Sequence, residues 1–413
     1  MTNSVNKILE KLELKEFKLT SLLEVTRAIN ENFTTEKLLN IYQYILRDQL
    51  SISRLLLFTN DDDKWICSLK FGAKGQSRKI KVEKDLAHIK EITVIESSSQ
   101  ESLNSFDIVI PVYHKNKALA YLLLGDLNED RLQISPTIKH MPFIQTLTNI
   151  IIVAIENKRF ANKSIEQERT NKELEMAKEM QQLLFPSKLP SNNRLEVGAH
   201  YESKHLVGGD YYDFIKLNNE EYVLCIADVS GKGMGAAIVM SNFQANLRAI
   251  IKYNHQNLTL QELVVLLNQS VNETAQGEKF ITFFIGYYNS TKSILKYINA
   301  GHNYPVLTDG VTARFLNKGC VGLGMFEELP SVEMEEIEIK RNDTLVCFTD
   351  GLVELENEHG EAFENDRLVK LIHDNFELSM EDLNRLIFHE LKVYKGKMDY
   401  LDDTAILSCR FFG

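Results

Sequence analysis

Four short segments in the second half of the chain each place an aspartate where an apolar run meets a turn. They are VGGDYYDF (Asp210, Asp213), VLCIADVSGKG (Asp228), LVCFTDG (Asp350) and YLDDTAILSC (Asp402, Asp403). An aspartate at the end of a buried strand is costly unless its charge is compensated, although a single Asp–Gly step is most often only a turn. Four such segments in one domain predict several carboxylates that meet at one place, where cations stabilise them.

Carboxylate oxygens without an accompanying Cys/His cluster favour Mg²⁺ or Mn²⁺ over Zn²⁺. Two such ions, bridged by carboxylates about 3.5–4 Å apart, form a hydrolytic site for phosphate esters. They lower the pKa of a bridging water and neutralise phosphate oxygens, so no covalent enzyme intermediate is needed. The sequence therefore predicts a two-ion site that binds Mn²⁺ or Mg²⁺.

The same segments resemble the PPM superfamily of metal-dependent protein phosphatases, in particular its RsbU/SpoIIE branch. Six motifs stand in the order of that branch over about residues 175–412: AKEMQQLLFP, VGGDYYDF, ADVSGKGMGAA, NAGHNYP, FTDG and DDTAILSC. The resemblance implies an α+β fold class with a C-terminal αββα sandwich. It also implies a protein serine/threonine phosphatase whose substrate is a phosphorylated signalling protein of the anti-anti-sigma type.

The resemblance also implies a set of metal ligands in this chain: Asp210, Asp228, the carbonyl of Val229, Asp350, Asp402 and Asp403. Asp228 is expected to bridge both ions and Asp350 to bind the first, so these two are the catalytic candidates. Asp213 is a secondary ligand candidate. Gly209 and Gly231 are expected to let the backbone approach the ions without a Cβ clash.

His302, in the NAGHNYP motif, has two interpretations. The resemblance places it on a core strand and turn near the site, where proton transfer is chemically possible because an unperturbed histidine has a pKa near about 6.5. A hydrogen-bonded core histidine explains the same position.

Other functional classes leave different signatures. GKGMGA, starting at Gly231, matches a loose dinucleotide pattern, but Asp228 would repel a pyrophosphate there. No cysteine has an arginine six positions later, which excludes cysteine-based phosphatases. The main alternative is a catalytically silent signalling scaffold of the same fold that acts by binding a partner. A third interpretation is a ligand-binding sensor dominated by the N-terminal half.

The elements before these motifs predict a separate domain over residues 1–155. Two amphipathic helices are followed by two hairpins, RLLLF/WICSLKF around NDDD and FDIVIPVYH/ALAYLLLGDL around KNK. In the second hairpin, the alternation of Ile108, Ile110 and Val112 predicts one buried face. The pattern resembles a GAF-like α/β sensor module, and such a fold kept only for dimerisation is an equal alternative.

A helical connector is expected over residues 156–190, between this module and a phosphatase domain at 191–413. Apolar positions at steps of three and four, including Ile151 and Ile165, form a heptad seam. A coiled coil that joins two subunits as a homodimer is therefore predicted, with a single packed helix as the alternative. Pro186 and Pro190 end the helix.

The length, charge and cysteine content of the chain exclude some classes of protein. The chain has 413 residues, of which 44% are hydrophobic, a formal net charge of −11 and five scattered cysteines. The negative charge argues against a nucleic-acid binder, and the cysteine spacing gives no disulfide framework. No signal peptide or membrane span is expected, so we expect a cytoplasmic protein.

Overall fold

A computed structural model of the chain describes residues 2–73, 75–95, 102–125, 136–254 and 257–413. Contacts within the chain divide it into two compact units, Met1–Glu168 and Arg169–Gly413, called here the N-terminal and C-terminal units. Over the described ranges, no helix combines the length and apolarity that crossing a lipid bilayer requires.

The N-terminal unit contains one antiparallel sheet and several helices. Its helices are α1 (Thr2–Asn30), α2 (Thr35–Tyr44), α3 (Val82–Asp85) and the first part of α4 (Pro136–Gln182). Its strands are β1 (Arg54–Asp61), β2 (Lys64–Phe71), β3 (Thr93–Val94), β4 (Ile108–His114) and β5 (Lys117–Gly125). The strand order is β2-β1-β5-β4-β3. A π-helical turn (Ile45–Gln49) follows α2, and a 3₁₀ turn (Gln76–Arg78) precedes α3.

Both predicted hairpins are confirmed. The β1–β2 turn has Asp62 and Asp63 at φ angles of 43° and 64°, which Asp tolerates better than most residues. The β4–β5 turn has Lys115 at a φ of 53°. Register in each pair follows these turns, with Asp61 opposite Lys64 and His114 opposite Lys117.

The predicted single buried face of β4 is wrong, because both faces of the sheet are covered. Ile108 and Ile110 pack with Tyr42 of α2 in one cluster, and the Tyr42 hydroxyl lies 2.6 Å from Thr148 Oγ1 of α4. Val109 is equally buried, in a second cluster on the opposite face of the sheet.

The C-terminal unit contains two sheets, with strand orders β13-β10-β9-β8-β7, where β14 also pairs with β10, and β12-β11-β15-β16-β6. Its strands are β6 (Leu195–Glu202), β7 (Tyr211–Lys216), β8 (Glu221–Val229), β9 (Ile281–Asn289), β10 (Ile294–Ala300), β11 (Val306–Thr308), β12 (Ala313–Phe315), β13 (Gly319–Cys320), β14 (Glu335–Glu338), β15 (Thr344–Phe348) and β16 (Thr404–Phe411). Its helices, besides the end of α4, are α5 (Met234–Asn254), α6 (Leu260–Ala275), α7 (Asp350–Val353), α8 (Asn365–Asp374) and α9 (Met380–Lys395).

These elements form four layers. Leu224 of β8, Leu345 of β15 and Leu407 of β16 share the apolar cluster between the two sheets. A second cluster joins α5 and α6 to the outer face of the first sheet. A third joins α8 and α9 to the outer face of the second sheet. The order is therefore helices, sheet, sheet and helices.

The strands that carry aspartates are apolar on both faces because each lies between two of these layers. The predicted buried strands at VLCIA, TLVCF and TAILSC are confirmed as β8, β15 and β16. In an antiparallel pair, the end of one strand lies beside the start of the next. Tyr211 is opposite Ala227, and Phe348 is opposite Ile406. In each sheet, two aspartate-bearing segments therefore lie side by side at the same end of two neighbouring strands.

Candidate active site

Asp210 lies where the two sheets of the C-terminal unit meet. It is 1% exposed, and its Oδ2 accepts a 2.7 Å hydrogen bond from the Thr349 hydroxyl. Thr349 Oγ1 in turn accepts a 2.8 Å hydrogen bond from the Ala405 N–H. Thr349 therefore connects the segment before β7 to the adjacent ends of β15 and β16 in the other sheet.

The carboxylates at this junction perturb one another. Burial raises the pKa of Asp228 to about 7, and the charges of Asp350 and Asp402 add to that rise. Asp228 also shares a side-chain hydrogen bond with Asp210, and burial together with the Asp228 charge raises the pKa of Asp210 well above its usual range. Burial, followed by the charge of Glu354, raises the pKa of Asp350 to about 6.

Asp403 and Asp402 connect the turn before β16 to two other loops. Asp403 Oδ1 accepts a 2.9 Å hydrogen bond from the Lys204 N–H, and its Oδ2 accepts one of 2.8 Å from the Gly209 N–H. Asp402 Oδ1 accepts a 2.9 Å hydrogen bond from the Asp403 N–H, while its Oδ2 lies 2.6 Å from Lys232 Nζ. The aspartates that the sequence singled out thus come together from distant parts of the chain, with Asp213 as the exception.

The donor set fits hard divalent cations. Five carboxylates gather here, and within the described chain only Lys232 makes an ion pair with them. Among described residues, no three acidic, histidine or cysteine side chains converge tightly enough to hold an ion as they stand. Two of the carboxylates are engaged with protein partners instead: Asp402 pairs with Lys232, and Asp210 shares a hydrogen bond with Asp228. All of these donors are oxygens, as Mg²⁺ and Mn²⁺ prefer.

Comparison with known proteins identifies the family. The family described as stage II sporulation protein E (SpoIIE) matches residues 218–412. Phosphoserine phosphatase RsbU of Bacillus subtilis is 30% identical over 245 residues, which cover 58% of this chain and 71% of RsbU. The chain belongs to the SpoIIE/RsbU family.

Two further likenesses agree with this membership. Protein IcfG of Synechocystis sp. is 28% identical over 261 residues, covering 57% of this chain and 41% of IcfG, so the chain spans less than half the length of that relative. The SiaA-PP2C domain of Pseudomonas aeruginosa superposes with a TM-score of 0.54 at 18% identity, covering 60% of this chain and 98% of that domain. This second likeness shows a PP2C-type fold. The predicted phosphatase is confirmed, and SpoIIE/RsbU-family phosphatases are metal-dependent.

Two glycines near these carboxylates stand where another residue is disfavoured, Gly209 by lack of space and Gly231 by its backbone conformation. A Cβ on Gly209 would lie 2.9 Å from the Val229 carbonyl oxygen and 3.2 Å from Ala236 Cβ. Gly231 has a φ of +86°, and a Cβ there would lie 2.6 Å from Lys279 Nζ. Glycine is therefore favoured at Gly209 by the nearby backbone oxygen and at Gly231 by its positive φ. A direct part in ion binding for Gly209, Gly231 or the Val229 carbonyl stays a prediction.

His302 is built into the core of the family domain. It is 3% exposed, and its ring Nδ1 lies 2.8 Å from Thr282 Oγ1. Its backbone N–H donates to Asn299 Oδ1 at 2.7 Å. Burial lowers the pKa of the ring to about 4, so the imidazole is neutral at pH 7. Thr282 is opposite Asp228 in the β8–β9 pair. These contacts favour the core-histidine interpretation, with His302 supporting the strand next to Asp228.

Asp213 belongs to a separate ion pair, which corrects its place among the ligand candidates. Its Oδ2 lies 2.7 Å from Arg248 Nε and accepts a 2.5 Å hydrogen bond from the Tyr211 hydroxyl. Its Oδ1 accepts from Arg248 Nη2 at 3.0 Å and from the Phe214 N–H at 2.8 Å. With four donors on its two oxygens, Asp213 anchors α5 to β7.

Three polar residues near the aspartates of the candidate active site were not predicted from the sequence. One is Thr349, described above. The hydroxyl of Tyr201 would lie 2.2 Å from a Cβ on Gly208, and burial followed by the Asp403 charge raises its pKa. The Gln181 side chain donates to the Gly208 carbonyl at 2.7 Å and accepts from the Gly208 N–H at 3.2 Å. Gln181 lies in the AKEMQQLLFP motif, but its sequence position gives no sign of its partner.

The raised pKa values predict a pH dependence of stability. Asp228 and Asp350 titrate near 7 and 6 in the folded chain, above the usual aspartate value. In EDTA these two carboxylates therefore bind protons in the folded chain that they release on unfolding, and their contribution to stability falls as pH rises from about 4 through 7. Bound Mn²⁺ requires the deprotonated carboxylates, so its stabilising effect grows over the same range. The measurement is the melting temperature of the C-terminal unit at about pH 5.5 and 7.5, with EDTA or with Mn²⁺.

Asp228→Asn supplies the control, because it removes the group with the higher pKa and should flatten the pH dependence in EDTA. A larger stabilisation by Mn²⁺ at the lower pH would contradict the assignment of these carboxylates as ligands.

Proposed function

We propose that the chain is a metal-dependent protein serine/threonine phosphatase that hydrolyses phosphoserine or phosphothreonine on a signalling protein, under the control of its N-terminal unit. The observation that carries this proposal is the meeting of Asp210, Asp228, Asp350, Asp402 and Asp403 at the junction of two sheets. Their reciprocal pKa shifts fit a site built for cations. The motif resemblance supports an anti-anti-sigma-type regulator as the substrate.

In this proposal the carboxylates divide the work of holding two ions. Asp228 would contact both ions, Asp350 and Asp402 would hold the first, and Asp210 would hold the second, with Asp403 as a further ligand. When bound, such a pair supplies a nucleophilic water at neutral pH and neutralises the phosphate oxygens.

Neighbouring groups position these ligands. The Thr349 hydroxyl fixes the Asp210 carboxylate, and the N–H groups of Lys204 and Gly209 fix Asp403. Because these contacts come from different loops, each restrains a ligand against a different part of the domain. These contacts support fixed positions for Asp210 and Asp403, so that little reorganisation is needed at those two side chains.

Turnover by the full chain tests the proposal. With Mn²⁺ it should release phosphate from p-nitrophenyl phosphate and from a phosphoserine protein, and EDTA should abolish both reactions. A catalytically silent scaffold, the alternative function, would bind the phosphoprotein with equal affinity whether or not Mn²⁺ is present, and would release no phosphate. Turnover that persists in EDTA would remove the metal-dependent mechanism.

Control by the N-terminal unit is part of the same proposal. Residues 1–155 would form a GAF-like sensor, residues 156–190 a connector and residues 191–413 the phosphatase domain. Within the C-terminal unit, Gln181 at the end of α4 holds both backbone polar groups of Gly208. Phe185, just after α4, packs on Tyr201 and Tyr212 with ring centroids 5.1 and 4.9 Å apart. These contacts support the end of α4 as the element through which a signal reaches the Asp210 loop.

A homodimer through the connector belongs to this proposal as well. Four apolar side chains of the connector are each at least 61% exposed: Ile165, Met176, Met180 and Leu183. A second copy of the helix would cover such residues in a coiled coil. A paired connector would also give two subunits a shared route of control.

Gln181→Ala is expected to weaken Mn²⁺ affinity and turnover by roughly three- to tenfold, because it leaves two buried backbone groups of Gly208 unpaired and loosens the loop that carries Asp210. The measurements are the Kd for Mn²⁺ and kcat with p-nitrophenyl phosphate. Gln182→Ala is the matched control, since Gln182 is the exposed neighbour. Equal effects of the two substitutions would argue against transmission through Gln181.

A further inference from the structure

The loop between β8 and α5 directs one lysine at the proposed ligand Asp402. Gly231 and Gly233, on either side of Lys232, have φ angles of +86° and +70°, a conformation that glycine adopts without strain. The Lys232 ammonium lies 2.6 Å from Asp402 Oδ2 and donates to the Leu401 carbonyl at 2.7 Å. Two contacts to one turn therefore fix the end of a long, flexible side chain.

Both oxygens of Asp402 are engaged by protein groups. Oδ1 accepts the Asp403 N–H, and Oδ2 faces the Lys232 ammonium. A divalent cation that binds Asp402 through Oδ2 meets the lysine ammonium at that oxygen, and the repulsion between the two positive charges favours displacement of the lysine.

We propose that Lys232 is a tethered cation that competes with a divalent metal ion for Asp402 and thereby sets the metal affinity of the site. This inference rests on the proposed two-ion function. The lysine stabilises the carboxylate before an ion binds, and it is released when the ion takes its place. The site would therefore need a higher concentration of the metal ion to be filled than the five carboxylates would need without the lysine.

The size of the effect follows from exposure. The side chains of Lys232 and Asp402 are 42% and 35% exposed, so solvent screens the pair and its contribution is modest. Removing the ammonium also removes its repulsion of the incoming ion. Together these effects predict a roughly three- to tenfold gain in metal affinity.

Lys204 provides a matched control. Its ammonium also donates to the Leu401 carbonyl at 2.7 Å, but its contact with the acidic set is through the backbone N–H, which donates to Asp403. Lys204→Met therefore removes a similar lysine from the same carbonyl while leaving the Asp402 contact in place.

The experiment is a titration of the full chain with Mn²⁺, in which electron paramagnetic resonance measures the free ion directly. Lys232→Met should bind Mn²⁺ roughly three- to tenfold more tightly than the unmodified chain, and Lys232→Gln should do the same. Lys232→Arg, which keeps the charge, should stay near the unmodified value, as should Lys204→Met. The melting temperature in EDTA checks that each variant is folded.

The outcomes separate the inference from the function on which it rests. If the unmodified chain binds no Mn²⁺, the metal site itself is wrong. If it binds Mn²⁺ and Lys232→Met binds with equal or lower affinity, only the competition is wrong. An unchanged Kd for Mn²⁺ with a raised KM for the phosphoprotein would instead place Lys232 at the substrate phosphate, which overturns the proposal.

Discussion

Asp228→Ala is expected to lower Mn²⁺-dependent turnover of p-nitrophenyl phosphate on the order of 10³-fold, the scale of losing a central electrostatic group of an active site. Asp228 is the carboxylate on which the others converge. It interacts with Asp350, Asp402, Asp210 and Asp403, and the proposed role is to bridge both ions. Its loss should therefore weaken Mn²⁺ binding as well as turnover. Steady-state kinetics and the Mn²⁺ Kd measure the two effects.

Asp213→Asn is the matched comparison, because Asp213 is a buried aspartate of the same domain, 0% exposed, that serves a different purpose. The side chain of its partner Arg248 is 45% exposed, so water can hydrate the guanidinium once the Asp213 charge is removed. We expect a cost of about 2 kcal/mol in the free energy of unfolding, below the range for a fully buried pair, with the Mn²⁺ Kd unchanged. Loss of Mn²⁺ binding in Asp213→Asn, with retention in Asp228→Ala, would reverse the assignment of the two aspartates.

Gly351→Ala is expected to damage both the fold and the site. A Cβ at Gly351 would lie 2.0 Å from the Asp403 carbonyl oxygen and 3.0 Å from Thr404 Oγ1. The nearer atom is backbone, so no side-chain rotation relieves the overlap, and α7 must move away from β16. The expected cost is about 3 kcal/mol, at the upper end of typical overpacking. Because Asp350 moves with its neighbour, turnover should fall by about 10²-fold. Denaturant unfolding and kinetics measure the two changes.

Gly235→Ala adds the same methyl group close by, in the first turn of α5. The nearest atom to its Cβ would be Lys279 Cε at 3.5 Å, which is ordinary contact, and alanine favours helix over glycine. This variant should keep its stability and its Mn²⁺ affinity. Comparable losses in both glycine variants would mean that the overlap at Gly351 is not the cause.

The sequence predicted the parts of the site that local patterns determine. Apolar runs ending in aspartate identified β8 and β15 and the ligand candidates Asp228 and Asp350. Antiparallel pairing then explains why these strand ends meet. The same reasoning could not separate Asp210 from Asp213, since both lie in VGGDYYDF. The difference comes from Arg248, a partner 35 residues away, which no local pattern reveals.

Contacts between distant polar residues were equally hidden. Thr349 stands next to Asp350, yet its hydroxyl contacts Asp210, 139 residues earlier. Gln181 reads as one more polar position in a helix. In the N-terminal unit, the turn residues specified both hairpins, but alternation in β4 predicted one buried face because it ignored the apolar residues between. Hydrophobic periodicity and turn residues thus specify the helices and strands, while tertiary packing decides which polar groups come into contact.

The hydrogen bonds from Ala405 to Thr349 and from Thr349 to Asp210 mean that the ligand candidates are shared between two sheets held together mainly by apolar side chains. Sliding one sheet against the other would stretch the distances between carboxylates long before the domain unfolded. Substitutions deep in the inter-sheet core, around Tyr288 and Phe411, should therefore appear first as enzymes with poor metal occupancy and normal solubility. Genetic screens for reduced signalling would recover such positions although they lie in the hydrophobic core and not among the ligands.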